Sequence, residues 1–86
     1  MDLFETSVVE FLFSASGCSY ISDMPKAGAL GRYRMAHLLR GVSAQRFSLA
    51  SWNDALSYLA GLPAAGTVEE AREALIKALS SDSEPA

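Results

Sequence analysis

The chain has 86 residues and a formal net charge of −3, with 50% of its residues hydrophobic and 20% charged. This length accommodates one folded domain, and the apolar fraction excludes an intrinsically disordered chain. The acidic balance argues against nucleic acid or an anionic membrane as the main partner. Cys18 is the only cysteine, which excludes an internal disulfide and a multi-cysteine metal site.

The first residues show neither a signal peptide nor a membrane-spanning helix. They lack a basic region before the apolar run, and Glu10 interrupts that run. A lone cysteine and no export signal are typical of the cytoplasm, which is the location we expect.

Residues 2–15 are predicted to form the first helix, with Asp2 and Glu5 as a capping pair. The β-branched and aromatic residues of this segment also permit a strand, but the helical segments that follow offer no sheet partner. A helical projection gives a wide apolar arc made of seven residues: Phe4, Val8, Phe11, Leu12, Ala15, Val9 and Phe13. Such an arc suits a central helix or one that also meets a second chain.

We expect Val9 and Phe13 to meet their own counterparts in a second copy, because they lie opposite the seam that faces the core. A two-fold axis is the commonest way for a soluble chain to bury such a face. In the alternative, the segment after the first helix covers the arc with Tyr20, Ile21 and Met24. The chain is then a monomer.

A second helix is predicted over residues 28–41, after a Gly-, Ser- and Pro-containing connection. Gly28 and Gly31 each weaken a helix by about 1 kcal/mol relative to Ala, so its start lies between Pro25 and Leu30. Gly41 is expected to end it. Its inward face is predicted to contain Met35, Leu38, Leu39 and Val42.

The third helix, over residues 48–60, has the clearest end signals in the sequence. Ser48 is placed as N-cap, and Phe47 and Trp52 are placed to close a hydrophobic staple. Gly61 is expected to adopt the left-handed conformation that ends a helix, with Leu62 folding back towards the last turn. We expect this helix to form the core, anchored by Trp52.

The fourth helix is predicted over residues 68–80, capped by Thr67 and Glu70, with a surface pair of Glu73 and Lys77. The polar residues from Ser80 onwards are expected to fray, and residues 81–86 to form a flexible, dispensable tail. Short connections predict four packed helices, mostly antiparallel, in one all-α bundle-like domain over residues 1–80.

Charge is segregated along the sequence. The stretch between Asp23 and Asp54 contains no acidic residue, whereas both flanks are acidic. One hypothesis is an anion- or nucleic-acid-binding patch on the second helix, composed of Lys26, Arg32, Arg34, His37 and Arg40. The simpler hypothesis is that a basic helix packs beside acidic ones, within one chain or across a dimer. We favour the simpler one because the cations are few.

The sequence gives only weak evidence for three more specific functional motifs. A helix-turn-helix is disfavoured because the third helix, which would enter the groove, has neither Lys nor Arg. Gly28 and Gly31 match no phosphate-binding fingerprint. Cys18 and His37 are one thiol and one imidazole, without a further acid–base group to define a catalytic site.

The sequence therefore predicts a small non-enzymatic protein-interaction module that self-associates. It contains no cofactor or metal-binding motif. A binder of an anionic ligand or nucleic acid through the second helix is the alternative. A salt series separates the two hypotheses, because phosphate contacts weaken steeply with salt and apolar contacts do not.

Overall fold

The computed structural model describes residues 7–81, and within them it contains α- and other helical segments but no β-strand. The four main helices are α1 (Val8–Ser16), α2 (Ala29–Arg40), α3 (Leu49–Ala55) and α4 (Val68–Ser81). Two 3₁₀ segments, Ile21–Lys26 and Ala44–Arg46, lie in the connections before and after α2. The radius of gyration is 12.0 Å, the value of about 12 Å expected for a compact chain of this length. The predicted all-α, four-helix architecture is confirmed.

Helix α1 begins later than predicted. Ser7 is its N-cap: the Ser7 hydroxyl accepts from the Glu10 amide at 3.1 Å, and the Glu10 carboxylate accepts from the Ser7 amide at 3.3 Å. This reciprocal capping box fixes the helix start at Val8. The predicted cap of Asp2 and Glu5 lies outside the described residues.

Helix α2 packs tightly against the end of α1. Gly31 is buried there, and a Cβ built on it would overlap the carbonyl oxygen of Ser16. Gly31 is therefore explained by close helix packing rather than by flexibility or by an anion held at the helix start. Gly28 is the N-cap, and Gly41 ends the helix as predicted.

Helix α3 confirms the signals at its start. The Ser48 hydroxyl accepts from the Ser51 amide at 3.2 Å, and the Phe47 and Trp52 rings meet edge to face at 5.6 Å. Trp52 is fully buried, and its indole N–H donates to the carbonyl of Ala44 at 2.7 Å. The staple thereby also holds the 3₁₀ segment before the helix.

Two side chains of α3 that a helical projection assigns to solvent are instead bound to other elements. The Ser51 hydroxyl accepts from the Val8 amide at 2.9 Å, which satisfies a free N–H at the start of α1. The Asn53 side chain accepts from the amide of Ala65 at 2.7 Å and donates to its carbonyl at 3.2 Å. Helix α3 therefore positions both the first helix and the connection to the last one.

A π-helical turn, Leu56–Ala60, directly follows α3. Gly61 follows with φ 65°, and the amide of Leu62 donates back to the carbonyl of Leu56 at 3.1 Å. This return confirms the predicted helix end.

Helix α4 confirms Thr67 as its cap, since the Thr67 hydroxyl accepts from the Glu70 amide at 3.1 Å. The Glu70 carboxylate accepts from Gly66 rather than from the cap residue. Glu73 pairs with its neighbour Arg72 at 3.7 Å, so the expected pair with Lys77 is wrong within the described residues.

The end of α4 corrects one expectation. Ser80 is helical, and its hydroxyl accepts from Arg40 at 2.9 Å. It is therefore not part of a frayed tail. The tail expected over residues 81–86 lies, from residue 82 onwards, outside the described residues.

Helices α2 and α4 pack against each other. Gln45, just after α2, bonds Glu69 at the start of α4, and Arg72 one turn later donates to the carbonyl of Val42 at 2.9 Å. The core between the helices includes these fully buried large side chains: Val8, Leu12, Met24, Met35, Leu39, Trp52, Leu56, Leu75 and Leu79.

Candidate interaction surface

One side of α2 is exposed and carries both apolar and cationic side chains. Leu30 is 61% exposed and Tyr33 52% exposed, although both are large hydrophobic residues. Arg34 and His37 are also exposed and lie four and seven residues after Leu30, so all four side chains share one side of the helix. We call Leu30, Tyr33, Arg34 and His37 the α2 face.

The rings within the α2 face are stacked. The Tyr33 and His37 rings lie nearly parallel, with an interplanar angle of 17° and centroids 6.2 Å apart. The stack arises because residues four apart in a helix are neighbours on its surface. It presents two stacked rings on the helix side that also carries Arg34.

The five predicted anion-binding residues do not converge on one point. Arg34 and His37 share the α2 face, and Arg40 lies one turn further along, bonded to Ser80. Lys26 belongs to the 3₁₀ segment before the helix, and Arg32 is half-buried. The structure thus spreads these cations along the helix rather than around a cleft.

Arg46, which also belongs to the basic stretch of sequence, lies in a different place. Its guanidinium carbon is 5.5 Å from the centroid of the Phe11 ring and 5.6 Å from that of Phe47. These distances are typical of cation–π contacts. Arg46 therefore stabilises the aromatic contact between α1 and the start of α3.

Val9 and Phe13, the residues predicted for self-association, contact the core of their own chain. Val9 is only 8% exposed, and Phe13 is half-buried against the core. The segment after α1 packs back on it and contributes the fully buried Met24. Neither residue therefore offers the wide exposed face that association through α1 requires.

A second exposed apolar cluster lies between the first 3₁₀ segment and the π-helical turn. Tyr20 is 70% exposed, Ile21 40% and Tyr58 39%. The Tyr58 hydroxyl donates to the carbonyl of Ile21 at 3.0 Å, which joins the two segments. No charged side chain belongs to this cluster, in contrast to the α2 face.

The two reactive side chains considered from sequence have separate partners. The Cys18 thiol is 3.9 Å from the carbonyl of Ser16, whereas His37 stacks on Tyr33. Among the described residues no group of three or more His, Cys, Asp or Glu is placed to hold a metal ion. No helix in the same part of the chain is long and apolar enough to cross a membrane.

Comparison with protein-family models, with curated proteins and with solved structures finds no match for this chain. The surface just described is therefore interpreted from its own chemistry.

Of the predicted patch, Arg32, Arg34, His37 and Arg40 lie on α2, whereas Lys26 lies in the 3₁₀ segment before it. Sequence reasoning placed Tyr33 on the outward side of this helix but did not identify Leu30 as an exposed apolar residue. The sequence did contain a signal for this exposed side of α2. Leu30, Tyr33 and His37 follow a helical spacing on the side opposite Met35 and Leu39, and both sides contain apolar residues.

Proposed function

We propose that this chain is a small, non-enzymatic protein-interaction module of the cytoplasm that self-associates through the α2 face. The observation that carries the proposal is the exposure of Leu30 and Tyr33 side by side on one helix. Single exposed apolar residues are ordinary on any protein. Here two of them lie on one helix side next to an arginine, and Tyr and Arg are residue types enriched at protein interfaces.

A second copy of the chain is the partner that fits the charge of this face. The α2 face is cationic and has no acidic residue, while the chain as a whole is acidic. Within residues 7–80, Arg34 is not paired with a carboxylate. A second copy, whose net charge is −3, brings further carboxylates to an arginine that has none among residues 7–80.

The non-enzymatic part of the proposal rests on the surroundings of the reactive groups. Cys18 and His37 have separate partners, and the exposed carboxylates of α4 bond Gln45, Gly66 or Arg72. The cytoplasmic location is supported by the lone cysteine, which fits a reducing compartment.

Sedimentation equilibrium of the protein and of two tyrosine variants tests the proposal. We expect the unmodified chain to dimerise and Tyr33→Ala to raise the dissociation constant by about tenfold. Tyr20→Ala is the matched control, because Tyr20 is more exposed but lies outside the α2 face, and it should leave the constant unchanged. A monomeric protein at millimolar concentration, or equal effects of the two variants, would overturn the proposal.

Binding of an anionic ligand through Arg34 and His37 is the second candidate, favoured by their exposure on one side of α2. Titration with inorganic phosphate and with a single-stranded oligonucleotide tests it. If either binds, its affinity should fall steeply with added salt and be lost in Arg34→Ala. Binding that Arg34→Ala leaves intact would exclude this face.

A further inference from the structure

We propose that the 3₁₀ segment Ile21–Lys26 is a strap that opens while the four main helices remain folded, and that a hydrogen bond from Tyr58 holds it closed. The strap packs on α1 and on the π-helical turn, so its opening uncovers the parts of both that it contacts. It shares no residue with the α2 face, and its opening does not depend on self-association. The chain thereby has a second surface that is available only in the open state.

One side chain holds the strap in the core. Met24 is fully buried and Pro25 is half-buried, whereas the other four residues of the strap are exposed. Helix α2, by comparison, buries Met35, Ala36 and Leu39 on its inward side. Because burial of apolar area is the dominant favourable contribution to folding, a segment with one buried side chain is held less strongly than a helix with several.

Few hydrogen bonds join the strap to the rest of the fold. Among residues 7–81, no backbone hydrogen bond links it to another helix. In the same part of the chain its only side-chain hydrogen bond runs from the Tyr58 hydroxyl to the carbonyl of Ile21, at 3.0 Å. Its internal bonds are of the 3₁₀ type, whose geometry is poorer than that of α-helical bonds. A segment with few buried contacts and few bonds opens at a lower free energy than the whole domain.

Oxidation of two buried methionines tests the proposal within one chain. Met24 and Met35 are both fully buried, but Met24 belongs to the strap and Met35 to α2. Hydrogen peroxide transfers one oxygen atom to a methionine sulfur and leaves as water. We expect it to oxidise Met24 at least about tenfold faster than Met35 in the folded protein, because only the strap opens locally. Mass spectrometry of the two peptides measures both rates, and equal rates would overturn the proposal.

Leu75→Ala separates local opening from global unfolding. Leu75 is fully buried on α4, so its truncation destabilises the packed helices. We expect the oxidation rate of Met35 to rise at least about tenfold and that of Met24 to stay nearly unchanged, because opening of the strap leaves the contacts of α4 in place. The milder Leu75→Val gives the same comparison if Leu75→Ala does not fold. An equal increase at both methionines would show that Met24 is exposed only by global unfolding, and the proposal would be overturned.

Tyr58→Phe tests the hydrogen bond that holds the strap closed, because it removes only the hydroxyl. We expect the oxidation rate of Met24 to rise about fivefold. Tyr20→Phe is the matched control, since the Tyr20 hydroxyl makes no hydrogen bond within residues 7–81, and it should leave the rate unchanged. Circular dichroism confirms that both variants retain their helices. If Tyr58→Phe has no effect, or if both variants accelerate oxidation equally, Tyr58 does not hold the strap and the proposal is overturned.

Amide hydrogen exchange gives an independent measurement of the same opening. The amides of Asp23 and Ala27 donate to the carbonyls of Tyr20 and Met24, both at 3.0 Å, and report on the strap. Their exchange should be nearly independent of urea well below the unfolding midpoint, because local opening exposes little surface. Exchange of the Met35 amide should instead accelerate with urea. A common urea dependence for the three amides would overturn the proposal, whether the chain is a monomer or a dimer.

Discussion

Helices α3 and α2 both carry polar and aromatic side chains, but they place them differently. In α3 the indole of Trp52, the hydroxyl of Ser51 and the amide of Asn53 each bond the backbone of another element. In α2, Tyr33 and His37 stack on each other and remain exposed. The aromatic and polar residues of α3 therefore maintain the fold, and those of the α2 face remain available for binding.

This difference separates two kinds of mutational effect. Substitutions of Ser51, Trp52 or Asn53 in α3 should lower the free energy of unfolding, because they remove bonds to other parts of the chain. Substitutions on the α2 face should leave that free energy nearly unchanged and alter association instead.

Trp52→Ala is expected to have the largest effect, a loss of about 3–5 kcal/mol in the free energy of unfolding. It removes a fully buried ring from the Phe47 contact and leaves the Ala44 carbonyl without its donor. Urea denaturation followed by circular dichroism measures the loss. Trp52→Phe retains most of the packing and should cost less. A loss below about 1 kcal/mol for Trp52→Ala would show that α3 is not the centre of the fold.

Gly31→Ala tests the buried side of α2 and should cost about 1–3 kcal/mol, because the added methyl group overlaps the Ser16 carbonyl oxygen. Gly41→Ala is the matched control at the other end of the same helix. Its φ of −91° suits any residue, and its nearest added contact is an ordinary 3.6 Å. Equal urea midpoints for the two variants would contradict the close approach of α2 to α1.

Asn53→Ala should cost about 1–2 kcal/mol, since it removes both hydrogen bonds to Ala65 and leaves two backbone groups to find water. Asp54→Ala, at the next and exposed position, should change stability by less than about 0.5 kcal/mol. Amide hydrogen exchange adds a local measurement: the Ala65 amide should lose protection in Asn53→Ala alone. Unchanged protection would show that Asn53 does not hold this connection.

Local signals in the sequence predicted most of α3 because its ends are determined by neighbouring residues. The Ser48 cap, the Phe47–Trp52 staple and the Gly61 turn each involve residues close together in the chain, and all three are confirmed. The late start of α1 was missed although Ser7 and Glu10 also form a capping box. Asp2 and Glu5 match the same pattern five residues earlier, and the apolar positions extend across both pairs.

Long-range contacts could not be predicted in the same way. The bond from the Val8 amide to Ser51 spans 43 positions, and the overlap at Gly31 depends on how α1 and α2 cross. Periodicity assigned Val9 to the outside of its helix, but Val9 packs into the core cluster and is only 8% exposed. The surface available for association depends on such packing, which a helical projection of a single element does not contain.

Leu30→Ala should have the smallest effect on folding, within about 0.5 kcal/mol, because Leu30 is 61% exposed and Ala is the better helix former. The same substitution at Leu39, on the buried side of α2, should cost about 2–5 kcal/mol. Association should be affected in the opposite order, more by Leu30→Ala than by Leu39→Ala. The two variants are compared at a temperature where Leu39→Ala remains folded. Leu30→Ala removes apolar area from the proposed contact and should raise the dissociation constant, whereas Leu39 lies inside the monomer. Urea denaturation measures the effect of each variant on stability, and sedimentation equilibrium measures its effect on association. A Leu30→Ala protein that is destabilised but still dimeric would contradict the roles assigned to the two sides of α2.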